Sequence, residues 1–281
     1  PEVSPLCLHC LALGRQETED DLHAYWKCPK HTHSEDEAIK KSQYLVDIAT
    51  TESVLSPSLW FRGILPSSSI VISEDFPQDF RASIIDGPHV PEDLNSWPSA
   101  IYFGDASGGI YNEFPTIRRV GVGIVAYNSE QGDPLFKMYC PLEGKVQTVP
   151  RGETSVLTVI TGRLAHGSTA TIYTDNLPVY NTFNKGKVFA NTTNNNDLWS
   201  YIFQCIEEKE LQITVKWFPS HLDEPGKREK LKVPIPDWIT AWHIIGNDTA
   251  DKLASSASHY SCVPSYIAKP IILAVQRIRS I

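Results

Sequence analysis

The sequence predicts an α/β fold: a mixed five-stranded sheet flanked by helices, preceded by a small Cys/His module. Three observations carry this reading. From residue 100 onward, short apolar runs alternate with runs of helical spacing, in the order three strands, helix, strand, helices, strand, helix. The first of these runs, Ile101–Ala106, buries an acid, Asp105, and is followed by small residues, which is costly unless the acid has a task or caps a turn. Finally, Cys7, Cys10, His23 and Cys28 fall as C-x2-C-x12-H-x4-C.

The Cys/His set comes first in the chain. Two thiols two residues apart form a tight chelating turn, and a His and a Cys along a short helix can complete a tetrahedral zinc shell. His9, His31 and His33 are substitute ligands, and the alternative is a set of buried or free thiols around a helix bearing Leu22, Tyr25 and Trp26. A segment this small buries too little surface to fold alone, so one structural Zn²⁺ is expected to supply its stability. The module is assigned to residues 1–45, and residues 46–98 to a helical segment and irregular linker.

Within residues 38–62 the apolar positions Ile39, Leu45, Ile48, Leu55, Leu59, Trp60 and Phe61 predict two short helices, separated at Ser56-Pro57. From Leu65 to Pro98 the composition turns to Pro, Ser, Asp and Glu, which predicts a connector wrapping a neighbouring domain.

A main domain over 99–262 then carries the strands. Ile101–Ala106, Arg119–Tyr127 and Leu135–Cys140 are joined by short turns, as in an antiparallel meander. A helix from Glu153 to Leu164 follows, with Val156, Leu157, Val159, Ile160 and Leu164 on one face. Next come the strand Thr169–Thr174, ending at Asp175, a helix bearing Leu198, Ile202, Cys205 and Ile206, and the strand Leu211–Trp217. The last helix runs from Asp248 to Ala257 after a Gly-Asn start. A tail, 263–281, has Ile271, Ile272, Val275 and Ile278 at helical spacing. In this topology Asp105, Glu153, Asp175 and Asp251 fall at the ends of strands and helices that meet at one crevice.

Composition excludes several classes. The net charge of −8 argues against a general polyanion binder, although Lys227–Lys232 forms a local basic run that faces either phosphate or solvent. No run of about 18 apolar residues is present, so no membrane partner is expected. Six cysteines are too few for a disulfide scaffold, and Cys140, Cys205 and Cys262 read as core or surface thiols. With no visible signal peptide, the expectation is an intracellular protein, in the nucleus or an organelle among other compartments; a first residue other than Met suggests a fragment or a processed chain.

Several ordered motifs then resemble one family. Gly104-Asp105-Ala-Ser-Gly, the strand Gly-Val-Gly-Ile-Val, Arg-Gly-Glu153, Tyr-Thr-Asp175-Asn, Trp217-Phe-Pro-Ser-His221 and Gly-Asn247-Asp-Thr-Ala-Asp251-Lys-Leu-Ala are similar to type I ribonuclease H, over residues 100–259. The Cys/His segment resembles the CCHC zinc-binding tail that follows reverse transcriptase in some non-LTR retroelements. Together they look like the C-terminal end of a retroelement polyprotein or a host protein descended from one. The resemblance implies a ribonuclease H-like fold and an endonuclease acting on the RNA strand of RNA/DNA hybrids, sequence-nonspecifically, by a two-metal-ion mechanism. It makes Asp105, Glu153, Asp175 and Asp251 the ligands of two Mg²⁺ ions, with Mn²⁺ as a substitute, and His221 the histidine assisting product release or proton transfer.

The chain departs from the pattern after His221, where Leu222–Ile245 is inserted. His243 in that insertion competes for the histidine role, and Asp248 competes with Asp251. Four acids converging without metal imply at least one raised pKa. Two other readings stay open: a domesticated, catalytically idle module that binds RNA or scaffolds a ribonucleoprotein assembly, with the zinc module or tail contacting other proteins, and an integrase- or exonuclease-type core.

Overall fold

The computed structural model describes residues 5–65, 72, 84–220, 222, 226 and 235–281. The chain forms two compact units, one of residues 1–75 with 264–281 and one of residues 76–263.

In the first unit, α1 (Leu8–Ala12) starts at Cys7. The loop after it closes through the Leu6–Thr18 bridge and through Cys7 N–H donating to Glu17 O at 2.8 Å. A short π-helical turn, His23–Lys27, ends at Cys28. The α2 helix (Glu37–Ser42) is capped by Asp36, whose carboxylate accepts from Ala38 N–H at 2.7 Å. A 3-10 turn leads to α3 (Val46–Glu52), and α4 (Pro57–Arg62) follows with Pro at its start, so the break at Ser56-Pro57 is where the sequence places it, but the single helix expected before it is divided in two by the 3-10 turn.

The small core of this unit is Trp26, Leu45, Ala49, Leu59 and Trp60, and Trp26 Nε1–H donates to Trp60 O at 2.9 Å. The chain's last helix belongs to the same unit: its Ile278 packs on that core and its Arg277 reaches Glu52 at 3.3 Å.

The second unit is built on a six-stranded mixed sheet in the order β1-β4-β3-β2-β5-β6. Its strands are β1 (Ile84–Asp86), β2 (Ala100–Ser107), β3 (Gly121–Tyr127), β4 (Pro134–Pro141), β5 (Thr169–Thr174) and β6 (Gln212–Trp217). The β2-β3-β4 meander is antiparallel, and β5 and β6 add in parallel to β2. The expectation of five strands is thereby corrected. Ile84–Asp86 pairs antiparallel with Lys137–Tyr139, but three residues inside a Pro- and Asp-rich stretch are too few to display a period of two.

Alternation along β2 splits the core between the two faces of the sheet. Tyr102 joins Trp97, Ile124, Phe136, Leu157, Ile160 and Trp199 on one side, and Phe103 joins Val125, Tyr173, Phe218 and Ala250 on the other. The first side is covered by α5 (Val149–Arg163) and α8 (Asn196–Glu208), the second by α9 (Ala241–Tyr260). Between β5 and α8 lie α6 (Leu177–Asn184) and α7 (Lys187–Ala190), and α10 (Ser265–Ser280) is the last helix already assigned to the first unit.

The α9 helix lies unusually close to the sheet because β3 presents no side chain there. A Cβ on Gly121 would meet Ala254 O at 2.1 Å, and one on Gly123 would meet Ala250 O at 2.2 Å. These two glycines therefore hold Asp251, between Ala250 and Ala254, near the middle of the sheet.

Two helix starts differ from expectation. The α5 helix begins at Val149, with Pro in its first turn, so Glu153 sits inside the helix and not at its start. The α9 helix begins at Ala241, seven positions before Asp248, with Thr240 and His243 forming a reciprocal cap. Gly246-Asn247 is helical interior, and the glycine is there because the Phe103 ring would lie 2.6 Å from its Cβ.

Candidate functional site

Asp105 lies late in β2 opposite Gly123, Glu153 on α5, and Asp175 directly after β5. Carboxylate oxygens of the three lie within 4.8 Å of one another. Asp105 and Glu153 are buried, at 7% and 5% exposure. Asp105 Oδ1 accepts from Ala106 N–H at 2.7 Å, whereas Glu153 Oε2 is buried with no hydrogen-bond partner. Buried carboxylate oxygens are normally satisfied, so an orphaned one aligned with two further acids fits a cation-binding position.

The electrostatics agree. Burial, then the charges of Asp175 and Asp251, push the Asp105 carboxyl up to about 7. Glu153 is held well above the ordinary carboxylate range by burial, then by Asp105 and Asp175. The fourth acid, Asp251, thus acts on Asp105 from α9. Its competitor Asp248 is engaged elsewhere, 2.6 Å from Lys252 Nζ one turn along the helix.

Supporting contacts fix these positions. Trp217 Nε1–H on β6 donates to Asp175 O at 2.9 Å, and Asn176 caps α6 by accepting from Val179 N–H at 3.1 Å. Arg151, two residues before Glu153, makes a two-pronged bond to Asp197 at the start of α8, at 3.0 and 2.6 Å. That pairing ties the first turn of α5 to α8. Sequence reasoning missed it; the only hint is that Arg151 shares a motif with Glu153, because its partner is 46 residues away.

His221 and the basic run Lys227–Lys232 lie outside the described residues. His243 is buried and structurally committed. Its Nδ1 accepts from Thr240 N–H at 3.2 Å, so the proton sits on Nε2, which donates to Tyr173 Oη at 3.2 Å. Burial also lowers its pKa, favouring the neutral ring. With both nitrogens engaged, His243 has no free proton to offer a substrate.

A second cluster lies in the other unit. Ligand atoms of Cys7, Cys10, His23 and Cys28 lie within 4.8 Å of one another, and all four residues are buried. Cys7 Sγ and Cys28 Sγ are 3.8 Å apart, far beyond a disulfide length, and Cys10 Sγ is 3.3 Å from His23 Nε2. A tetrahedral zinc shell with Zn–S of about 2.3 Å has S···S edges of about 3.8 Å, so the donor set fits. The backbone amide of Cys10 helps pull Cys7 down to about 7, while burial and the neighbouring thiols push Cys10 up to about 11. The substitutes are otherwise placed: His31 Nε2 lies 2.8 Å from Ala24 O, and His9 and His33 are exposed.

No family model matches the chain, and no curated protein does. Among solved structures, it is similar to the solution structure of the PFV RNase H domain, at 18% identity over 58% of this chain and 95% of that one, with a TM-score of 0.44. It is also similar to the native prototype foamy virus protease-reverse transcriptase, at 21% identity over 62% of this chain and 22% of that one, with a TM-score of 0.42. A foamy viral protease-reverse transcriptase in complex with RNA/DNA hybrid matches at 17% identity over 67% of this chain and 24% of that one, with a TM-score of 0.43. The chain spans less than a quarter of the length of either protease-reverse transcriptase.

Proposed function

We propose that this chain is a Mg²⁺-dependent ribonuclease of the ribonuclease H type, hydrolysing the RNA strand of RNA/DNA hybrids, and that it derives from a retroelement polyprotein. The observation that carries the reading is the Asp105–Glu153–Asp175 cluster, with Asp105 and Glu153 buried, Asp175 half-buried and one Glu153 oxygen unpartnered. Such a cluster is electrostatically unfavourable unless cations bind it.

Asp105, Glu153, Asp175 and Asp251 would hold the ions. A bound pair of Mg²⁺ ions would activate a water and neutralise charge on the scissile phosphate. The protein's own part is to keep the carboxylates in register: Trp217 holds the Asp175 backbone, the Arg151–Asp197 pair holds the α5 turn, and Gly121 and Gly123 let Asp251 approach. His221 is assigned proton transfer or product release by motif. The Cys7/Cys10/His23/Cys28 set is assigned one structural Zn²⁺.

The test is incubation of the full chain with an end-labelled RNA/DNA hybrid, with and without Mg²⁺, beside Asp105→Asn. Cleavage confined to the RNA strand, dependent on metal and lost in the variant, is expected. Undiminished cutting by Asp105→Asn overturns the assignment, and binding without cutting by the unaltered chain in Mg²⁺ or Mn²⁺ replaces it with a binding module.

A further inference from the structure

An open groove of about 660 Å³ crosses the first unit, inside the size range of ligand sites. Its floor is aromatic. Tyr25, on the π-helical turn, is 56% exposed and stacks on Phe61 of α4, with ring centroids 6.5 Å apart and planes 25° from parallel. Trp60, fully buried, also lines the groove, and its Nε1 has no hydrogen-bond partner.

The walls are cationic. Lys41 of α2 and Arg62 of α4 are exposed there, and Arg279 of α10 also lines the groove. Among the described residues that line it, none is Asp or Glu. In a chain of net charge −8, three cationic side chains with no acidic side chain among the described lining residues are a local exception. The groove lies next to the Cys/His cluster in sequence but uses none of its ligands, so it is a separate feature.

We propose that this groove binds single-stranded nucleic acid, with a base stacked on the exposed face of Tyr25 and flanking phosphates on Lys41 and Arg62. A flat aromatic face backed by a second ring suits a planar base, and stacking is indifferent to sequence. Positive side chains at the margin suit a backbone charged at every residue, whereas an acidic peptide would use the cations and leave the platform idle. The proposal does not depend on the nuclease reading, because no residue of the acidic cluster takes part.

The test uses the full, zinc-loaded chain carrying Asp105→Asn, so that cleavage does not obscure binding, with a fluorescent ten-nucleotide oligo(U) and no added Mg²⁺. Fluorescence anisotropy should show binding that Tyr25→Ala weakens at least about fivefold and Tyr25→Phe preserves. Lys41→Ala with Arg62→Ala should flatten the slope of log affinity against log salt by about 0.7 for each phosphate that is no longer neutralised. Thermal melts matching the parent chain exclude unfolding as the cause. If Tyr25→Ala and the double variant both bind as the parent does, the proposal fails. It also fails if an oligo-glutamate peptide competes as effectively as oligo(dT), since charge alone would then account for binding.

Discussion

Glu153 and Asp105 bury a carboxylate each at one end of the sheet, and while Asp105 Oδ1 has the Ala106 amide, Glu153 Oε2 has no partner. The pair is costly to the folded chain by itself, since two acids that repel and are desolvated contribute stability only when protonated or when a cation joins them. This relationship governs how the protein should respond to pH, metal and substitution.

Without divalent metal, stability should fall as pH rises from about 4 to about 7. Asp105 is held near 7 in the fold, above its ordinary value of 3.8, so the native state keeps a proton that the unfolded chain has already released. The stabilising contribution is complete below pH 4 and is lost as pH climbs through 7. Calorimetric melts with chelator across this window should slope downward for the parent chain and be flatter for Asp105→Asn. Added Mg²⁺ should raise Tm most at pH 8 and least at pH 5.

Arg151→Ala should separate positioning from stability. Asp197 is more than half exposed, so losing the pair should cost only about 1 kcal/mol. Glu153, two residues on, loses the anchor of its helical turn, and kcat on the hybrid should drop about tenfold with KM little changed. Arg151→Lys cannot restore a two-pronged bond and should rescue incompletely. A fall in Tm matched by no change in kcat would reduce the Arg151–Asp197 pair to a structural one.

Gly123→Val should be among the most damaging single changes in the second unit. Its side chain would enter the backbone of α9 at Ala250, and overpacking of this kind costs about 1–3 kcal/mol or more. Because Asp251 rides on the displaced helix, Mg²⁺-dependent stabilisation should shrink along with Tm. Denaturation in urea with and without Mg²⁺ measures both effects.

The two histidines should behave differently. His243→Phe removes the bonds to Thr240 and Tyr173 and should lower stability by about 1–2 kcal/mol while leaving turnover near that of the parent below its melting temperature. His221→Ala should slow turnover. Reversal of this pattern in steady-state assays would move the histidine role to His243.

Loss of zinc should unfold the first unit selectively by its own spectroscopic signature. Titrating the thiols with an organomercurial should release one zinc per chain, and Cys10→Ser should bind none stably. Fluorescence of Trp26 and Trp60, packed edge-to-face with centroids 5.6 Å apart, should redden as the small core opens.

Local pattern was sufficient for much of this. Short apolar runs bounded by turn residues located β2 to β6, the 3.6-residue spacing located α5 and α8, and the donor chemistry of Cys7, Cys10, His23 and Cys28 stood out by spacing alone. Strand order also put Asp105 late in β2 and Asp175 just after the neighbouring parallel strand β5, because an acid near a strand end is placed by the sheet and not by its neighbours.

Other features depended on partners that no short window contains. The edge strand Ile84–Asp86 exists only because β4 offers it a ladder, and Gly246 reads as a break until the Phe103 ring is seen to need its space. The Arg151–Asp197 bond spans 46 residues, and Arg277 meets Glu52 across 225. The sequence by itself determined which groups can bind metal and the order of elements that carries them, since periodicity and ligand chemistry are properties of short stretches. Only the tertiary structure decided which acids face each other, which histidine is occupied and which helix closes which core, because desolvation and packing arise between distant segments once the chain has folded.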